Sequence, residues 1–258
     1  MTTVRTPRAL RLTLAATMAL VGLACGTKDA PGPLDPTSGQ GRIRFVNLIT
    51  DPTRNPVNAI LENVPFGVNL GYGATTPASL PSPSTANFAP IYEGARTLVL
   101  KKTADTSVVV ATLPITVTAG TDYTLYAVGG TGGAEVTGFS VGDNNPGITA
   151  GQAKIKVTNM SPTAGAVDVF ITAANADLTT ATPVVENLGT QAAFAGVLVA
   201  PGTYSVRTVP TGTLAADRPA AVSSTLSVTV AAGNGRTIVI ADAAAGGTPL
   251  RSFELKDQ

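Results

Sequence analysis

The chain has 258 residues, 44% hydrophobic and only 13% charged, with a formal net charge of +1, no His, no Trp and a single Cys. The length suits one large or two ordinary domains, and the charged share is about half the usual one. Lack of His excludes Ser-His-Asp and Cys-His catalysis and every metal site built on imidazole, a lone Cys excludes an internal disulfide, and the absence of a Lys/Arg stripe argues against nucleic acid as a partner.

Residues 1–11 carry Arg5, Arg8 and Arg11 and no acid, and the next 13 residues, Leu12 to Ala24 (LTLAATMALVGLA), are uncharged and mostly apolar. A membrane-spanning helix needs about 20 such residues. A basic head, a shorter apolar run and a small final residue therefore predict a secretory signal peptide over 1–24. Cys25 comes next. The stretch VGLACG resembles the lipobox of bacterial lipoproteins, where the signal is cut before a Cys whose thiol receives a diacylglyceryl group. Ala24 fits that pattern, whereas Leu23 and Gly22 are shifted from its commonest order; an ordinary signal peptide with an incidental Cys is the alternative. The resemblance implies that Cys25 is lipidated and that the membrane is the first partner. Two or more acyl chains, each gaining about 0.8 kcal/mol per buried methylene, would hold firmly. Gly26, standing where an Asp would favour the inner membrane, points to the outer membrane of the cell envelope. Cys25 opens a linker over 25–41 (CGTKDAPGPLDPTSGQG) rich in Gly and Pro. Such a sequence is a flexible tether, reaching at most roughly 50 Å when extended.

The remainder reads as an internal repeat. GRIRFVNL at 41–48 matches AKIKVTNM at 153–160, NLGYGA at 69–74 matches NLGTQA at 187–192, and LPITVTAGTDYTLYA at 113–127 matches LSVTVAAGNGRTIVI at 226–240. GGAEVTGFSVGDN at 132–144 matches GGTPLRSFELKDQ at 246–258. Ordered matches at nearly one offset predict two domains, 42–145 and 151–258, joined at NNPGITAG. Short alternating runs bounded by turn residues predict seven or eight strands per copy, among them RIRFVNL, TLVLKK, SVVVATL, ITVTAG and YTLYAVGG in the first. Val167 and Val169 fall on one face of AVDVFIT and Asp168 on the other. The expected fold class is all-β, as two tandem immunoglobulin-like β-sandwich domains; a small barrel is the alternative.

The order IKVTNMSPTAGAVDVFI, APGTYSVRTV, LSVTVAAG and a strand opening YTLYAVGG resembles the domain-of-unknown-function 4397 family. The first copy departs at DPTRNPVNAIL and in a longer Pro-rich loop, the second at Gly235-Arg236. The resemblance covers nearly all of 41–258. It implies secreted or surface-anchored bacterial proteins with tandem copies, and no catalytic residues.

Candidate chemistry is sparse. Asn47 and Asn159 end the first strand of each copy, where an amide side chain satisfies backbone groups of a turn. GDNN at 142–145 clusters oxygens without the spacing of a calcium loop, and Asp257 echoes Asp143, which suggests a strand-end role within the fold. Tyr123 and Tyr126 lie on opposite faces of one strand, one expected in the core and one at the surface. Tyr72, Phe88 and Tyr92 flank the Pro-rich stretch and are candidate ligand-binding residues, as one aromatic patch for a glycan or peptide; local loop packing is the competing account. No G-x-S-x-G elbow, catalytic residue, cofactor or metal site is expected. The sequence thus predicts a non-enzymatic envelope lipoprotein serving as a binding, adhesion or scaffold module, with an envelope protein or a glycan as partner. Glycan or peptide recognition by the 74–92 loop is the first alternative, and a secreted hydrolase with a carboxylate pair a remote second. Cys25→Ser is expected to abolish metabolic lipid labelling and to release the protein or leave its signal uncut; unchanged labelling and membrane fractionation would refute the anchor.

Overall fold

Among the described residues strand follows strand, with two short 3-10 turns between them. The structure, a computed structural model, describes residues 39–77, 88–143 and 147–257. The signal peptide, Cys25, nearly all of the tether and positions 78–87 of the Pro-rich loop lie outside the described residues. The N-terminal half holds β1 (Gln40–Ile49), β2 (Val57–Leu61), β3 (Val64–Leu70), β4 (Thr75–Thr76), β5 (Ala89–Tyr92), β6 (Gly94–Lys102), β7 (Asp105–Val117), β8 (Asp122–Gly129) and β9 (Val136–Asp143). The C-terminal half holds β10 (Ala153–Asn159), β11 (Val167–Thr172), β12 (Val185–Leu188), β13 (Ala192–Val199), β14 (Gly202–Pro210), β15 (Ser224–Val230), β16 (Gly235–Ala241) and β17 (Arg251–Lys256).

Each half forms a two-sheet sandwich, so the fold is an all-β sandwich. In the N-terminal half one sheet runs β4-β1-β8-β9 with β5 also on β1, and the other runs β3-β2-β6-β7. The C-terminal half repeats this as β13-β10-β16-β17 and β12-β11-β14-β15. Pairings are antiparallel except β1 with β8 and β10 with β16, which are parallel. The edge strand β7 is one strand of 13 residues where the sequence suggested two, SVVVATL and ITVTAG. Pro114 between them suits an edge, where a missing ladder N–H is tolerated. Leu113, Ile115 and Val117 face inward from it, and Thr112, Pro114 and Thr116 outward.

Each half has its own apolar core. Ile43, Phe45, Leu98, Leu100 and Leu125 anchor one, and Ile155, Val157, Val169, Ile238 and Ile240 the other. Yet β16 is buried at all seven positions, and β1 is buried from Ile43 to Ile49. The alternation explains how. Ile43, Phe45 and Ile49 point into their own sandwich, while Val46 and Leu48 belong to a third cluster with Tyr126, Val128, Met160, Val239, Ala241 and Leu255. This cluster draws on both halves and lies where the β1-containing sheet packs on the β10-containing sheet. Both halves belong to one compact unit. Tyr126 is accordingly fully buried and Tyr123 is half-buried against the N-terminal core; neither ring stands at the free surface, because both faces of β8 are covered.

The repeated NLG motif is a latch. Asn69 and Asn187 adopt the left-handed conformation, with φ of 57° and 56°, a region in which Asn is enriched. The Asn69 amide donates to the Asn58 side-chain oxygen at 2.9 Å, and the Asn187 amide to Asp168 at the same distance. The next carbonyl is caught by the buried amide at the end of the first strand: Asn47 Nδ2 donates to Leu70 O at 2.8 Å and Asn159 Nδ2 to Leu188 O at 3.0 Å. Asn47 Oδ1 accepts from Ile49 N, and Asn159 Oδ1 from Ser161 N. Both side chains are 0% exposed, so these two Asn serve the backbone, as their position suggested. Truncation would strand the Leu188 and Gly165 carbonyls and the Ser161 amide without their partner. Asn159→Ala is therefore expected to cost about 2–3 kcal/mol of stability, read as a lower urea midpoint at unchanged slope; a shift below about 0.5 kcal/mol would show that the latch is not needed.

Candidate functional site

The packing of one sheet on the other is quasi-symmetric. Arg44 on β1 and Lys156 on β10 occupy equivalent positions, as do Asp143 after β9's Gly142 and Asp257 after β17. Arg44 reaches across to the far half: Nη2 meets Asp257 Oδ1 at 2.6 Å and Nη1 donates to Lys256 O at 2.6 Å. Lys156 Nζ reaches back to Asp143 Oδ2 at 2.7 Å and also holds Asp257 Oδ2 at 3.0 Å. Thr124 accepts from Arg44 Nε at 2.8 Å, and its counterpart Thr237 donates to Asp257 Oδ2 at 2.7 Å. The Arg44 and Asp257 side chains are 6% and 1% exposed. Burial alone would raise the Asp257 carboxyl, but Arg44 and Lys156, with the Thr237 hydroxyl, outweigh it and hold the group below the ordinary carboxylate range.

Beside this network a cleft of about 490 Å³ opens between the two sheets. Arg44, Lys154 and Lys156 line it together with Asp122, Asp143 and Asp257. Phe88 forms part of its rim, with the Arg44 guanidinium carbon 4.5 Å and that of Arg42 5.4 Å from the ring centroid. Arg42 also makes a two-pronged pair with Asp122, at 2.6 Å for each contact. Tyr126 and Thr158 form the floor, both buried. Their hydroxyls lie beside one another near Thr124, yet neither makes a hydrogen bond of good geometry. Burial pushes the Tyr126 phenol up to about 12, so it stays protonated.

Backbone geometry shapes the opening. In the C-terminal half β13 pairs along all of β10, with a register shift between Ile155 and Val157 that marks a bulge at Ala195-Gly196. Gly196 has φ +101°, and a Cβ there would sit 2.7 Å from Lys156 Cγ. In the N-terminal half the equivalent strand is split into β4 and β5, which pair with successive parts of β1. Between Thr76 and Ala89, the partners of Phe45 and Ile43, the N-terminal half has twelve residues where the C-terminal half has the two of the bulge, and Phe88, the last of them, lines the cleft.

The three aromatic candidates have different partners. The Tyr72 ring meets Phe253 edge-on at 5.8 Å and its hydroxyl donates to the Asp242 carbonyl, so it braces the two halves. Phe88 packs under Arg44 at the cleft. Tyr92 sits half-buried on β5, opposite Gln40. Among the described residues no ring contact joins the three. Arg44, Lys156, Tyr126 and Thr158 carried no functional expectation. The available signal was the alternation of basic and apolar residues kept in both copies at 42–46 and 154–158, together with the repeated terminal Asp.

The model of a family described as "Domain of unknown function (DUF4397)" matches residues 55–170 and supports the resemblance seen in the sequence. That span starts just before β2, omits β1, and runs through β10 into β11. No curated protein matches the chain. Among solved structures, the C-terminal domain of AlgF from P. aeruginosa is 18% identical, covering 42% of this chain and 99% of that one at a TM-score of 0.28. Family 41 carbohydrate-binding modules from streptococcal virulence factors, described for alpha-glucan recognition, are 10% identical, covering 82% of this chain and 98% of that one at a TM-score of 0.25.

A carboxylate whose folded-state pKa lies below its unfolded value stabilises the fold above that unfolded value, about 3.9 for Asp, and the contribution is lost as the pH falls through the folded value. Asp257→Asn leaves Arg44 and Lys156 short of a partner and is expected to cost about 3 kcal/mol at pH 7. The gap to the wild type should shrink as the pH drops below 4. Denaturant midpoints measured from pH 7 to pH 2 check this; a gap independent of pH would disprove the charge role of Asp257.

Proposed function

We propose that this protein is a non-enzymatic lipoprotein of the cell envelope, held at the outer membrane by lipid on Cys25 and set off from it by the 26–41 tether. Its two tandem sandwich domains work as one binding or scaffold module. The observation that carries the reading is the state of the carboxylates at the cleft. Asp143 and Asp257 converge on one ammonium, within 3.0 Å of Lys156 Nζ, which is the spatial pair a hydrolase would need. A general acid, however, needs a carboxyl raised toward neutrality, and Asp257 is driven the other way by Arg44 and Lys156. Its oxygens are held by Arg44, Lys156 and Thr237, which keep it ionised. The groups are arranged to hold two sheets together and leave a fixed, polar opening, which suits recognition rather than turnover.

Phe88 links this reading to recognition through the 74–92 loop, because it lines the same cleft. The test has two arms. Purified protein is expected to release no product from chromogenic glycosides and esters, whereas photo-crosslinking from the cleft mouth in intact envelopes should yield a discrete adduct. Turnover that disappears in a folded Asp143→Asn variant would overturn the non-enzymatic reading, and crosslinking no stronger than from a site on β15 would overturn the binding role.

A further inference from the structure

Tyr126 and Thr158 raise a question that the fold alone does not answer. Val46 and Tyr126 are direct neighbours in the parallel pair β1–β8, and Thr158 and Val239 are direct neighbours in the equivalent pair β10–β16. Each Val therefore stands where the other half has a hydroxyl. Val46 and Val239 are 0% exposed and sit in the apolar cluster between the halves. The packing of the two sheets thus accepts purely apolar side chains at this register. The hydroxyls of Tyr126 and Thr158 are buried at the floor of the cleft without well-formed hydrogen bonds, a state that costs free energy in the unoccupied protein. They line an opening, as a pair drawn from both halves.

We infer that this cleft is a binding site for a neutral, hydroxyl-rich ligand of about disaccharide size, whose hydroxyls bond to Tyr126 and Thr158. The volume lies within the range of small-molecule sites. The choice of a neutral ligand follows from the lining. Three cations and three carboxylates face the opening, and Arg44, Lys156, Asp122, Asp143 and Asp257 are already engaged in ion pairs. At those five groups an anion or a cation would have to compete with an existing partner, at a penalty of several kcal/mol per displaced buried charge. A sugar hydroxyl both donates and accepts, so it can add to a paired carboxylate or ammonium without breaking the pair. The same property lets one ligand oxygen satisfy both Tyr126 and Thr158.

The inference rests on the binding reading proposed above, and its test stands apart from the crosslinking. The full-length mature protein is screened on an array of neutral oligosaccharides and titrated by calorimetry with maltose, cellobiose and lactose; glucuronic acid and glucosamine serve as charged controls. At least one neutral saccharide is expected to bind more tightly than either charged sugar. Tyr126→Phe with Thr158→Val should weaken it fivefold or more. The same double variant should melt at or above the wild-type temperature, because it removes unsatisfied hydroxyls; a purely structural role predicts the opposite pairing, a lower melting temperature with unchanged affinity. Tyr126→Phe alone, the gentler change, reports the same loss if the double variant does not fold. Absence of binding to every neutral saccharide, affinity unaffected by the variants, or preference for a charged sugar would each overturn the assignment. A cleft-mouth crosslink that persists in the first case would leave the binding role intact and reject the ligand class alone.

Discussion

Two buried cations, one from each half, hold the carboxylates of the opposite half between two sheets. Taking such charges out of water costs several kcal/mol per ion unless each finds its partner with good geometry. Arg44 and Lys156 do so only when the sheets sit at one register, since each must reach an Asp at the end of the other half's last strand. The apolar contacts around them, Leu48, Val128, Met160 and Leu255 among others, supply attraction but little direction, because hydrophobic burial is non-directional. The ion pairs therefore set the docking position. The seat of Tyr72 on Phe253, the close approach of Gly73 to that ring and the opening beside Phe88 all follow from it.

Within each half the corresponding fixed point is the NLG latch. Asn47 and Asn159 are buried polar side chains that repay their burial through three backbone partners each, and they tie a left-handed turn to the end of the first strand. The turn leads into β4 in one half and, in the other, into β13, which borders the cleft. The extra residues between β4 and β5 come downstream of this latch, at the position where the other half has a bulge, and the ladder β1–β8 runs without a register shift. An edge strand is where extra residues meet the fewest constraints.

Much of this architecture was legible in the sequence. Alternation and turn residues located most of the strands, because each strand obeys the same period-2 rule. Asn47 and Asn159 were readable for the same reason: a polar residue repeated at the end of an apolar strand has a local backbone task. The relation between the copies was not readable. An alternating strand predicts one buried and one wet face, and nothing in RIRFVNL distinguishes an Arg facing water from one facing an Asp in a different sheet. One of Tyr123 and Tyr126 was expected at the surface on that logic, and the face that carries Tyr126 is buried because the second half covers it. The aromatic residues around the Pro-rich stretch were close in sequence, but the strands they join lie at different places along β1.

The quasi-symmetric interface has a consequence for how such a chain can change. Two identical subunits facing each other across a dyad share one gene, so every substitution in the contact appears twice, and a favourable change on one side is imposed on the other. Joining both copies in a single chain removes that bond. Arg44 and Lys156 share a task with different chemistry, while Tyr126 and Thr158 stand where the other half has Val239 and Val46. One flank of the contact is free to stay dry and hold the pair together, and the other is free to become wet. The pair of sandwiches is in this sense a dimer with a front and a back.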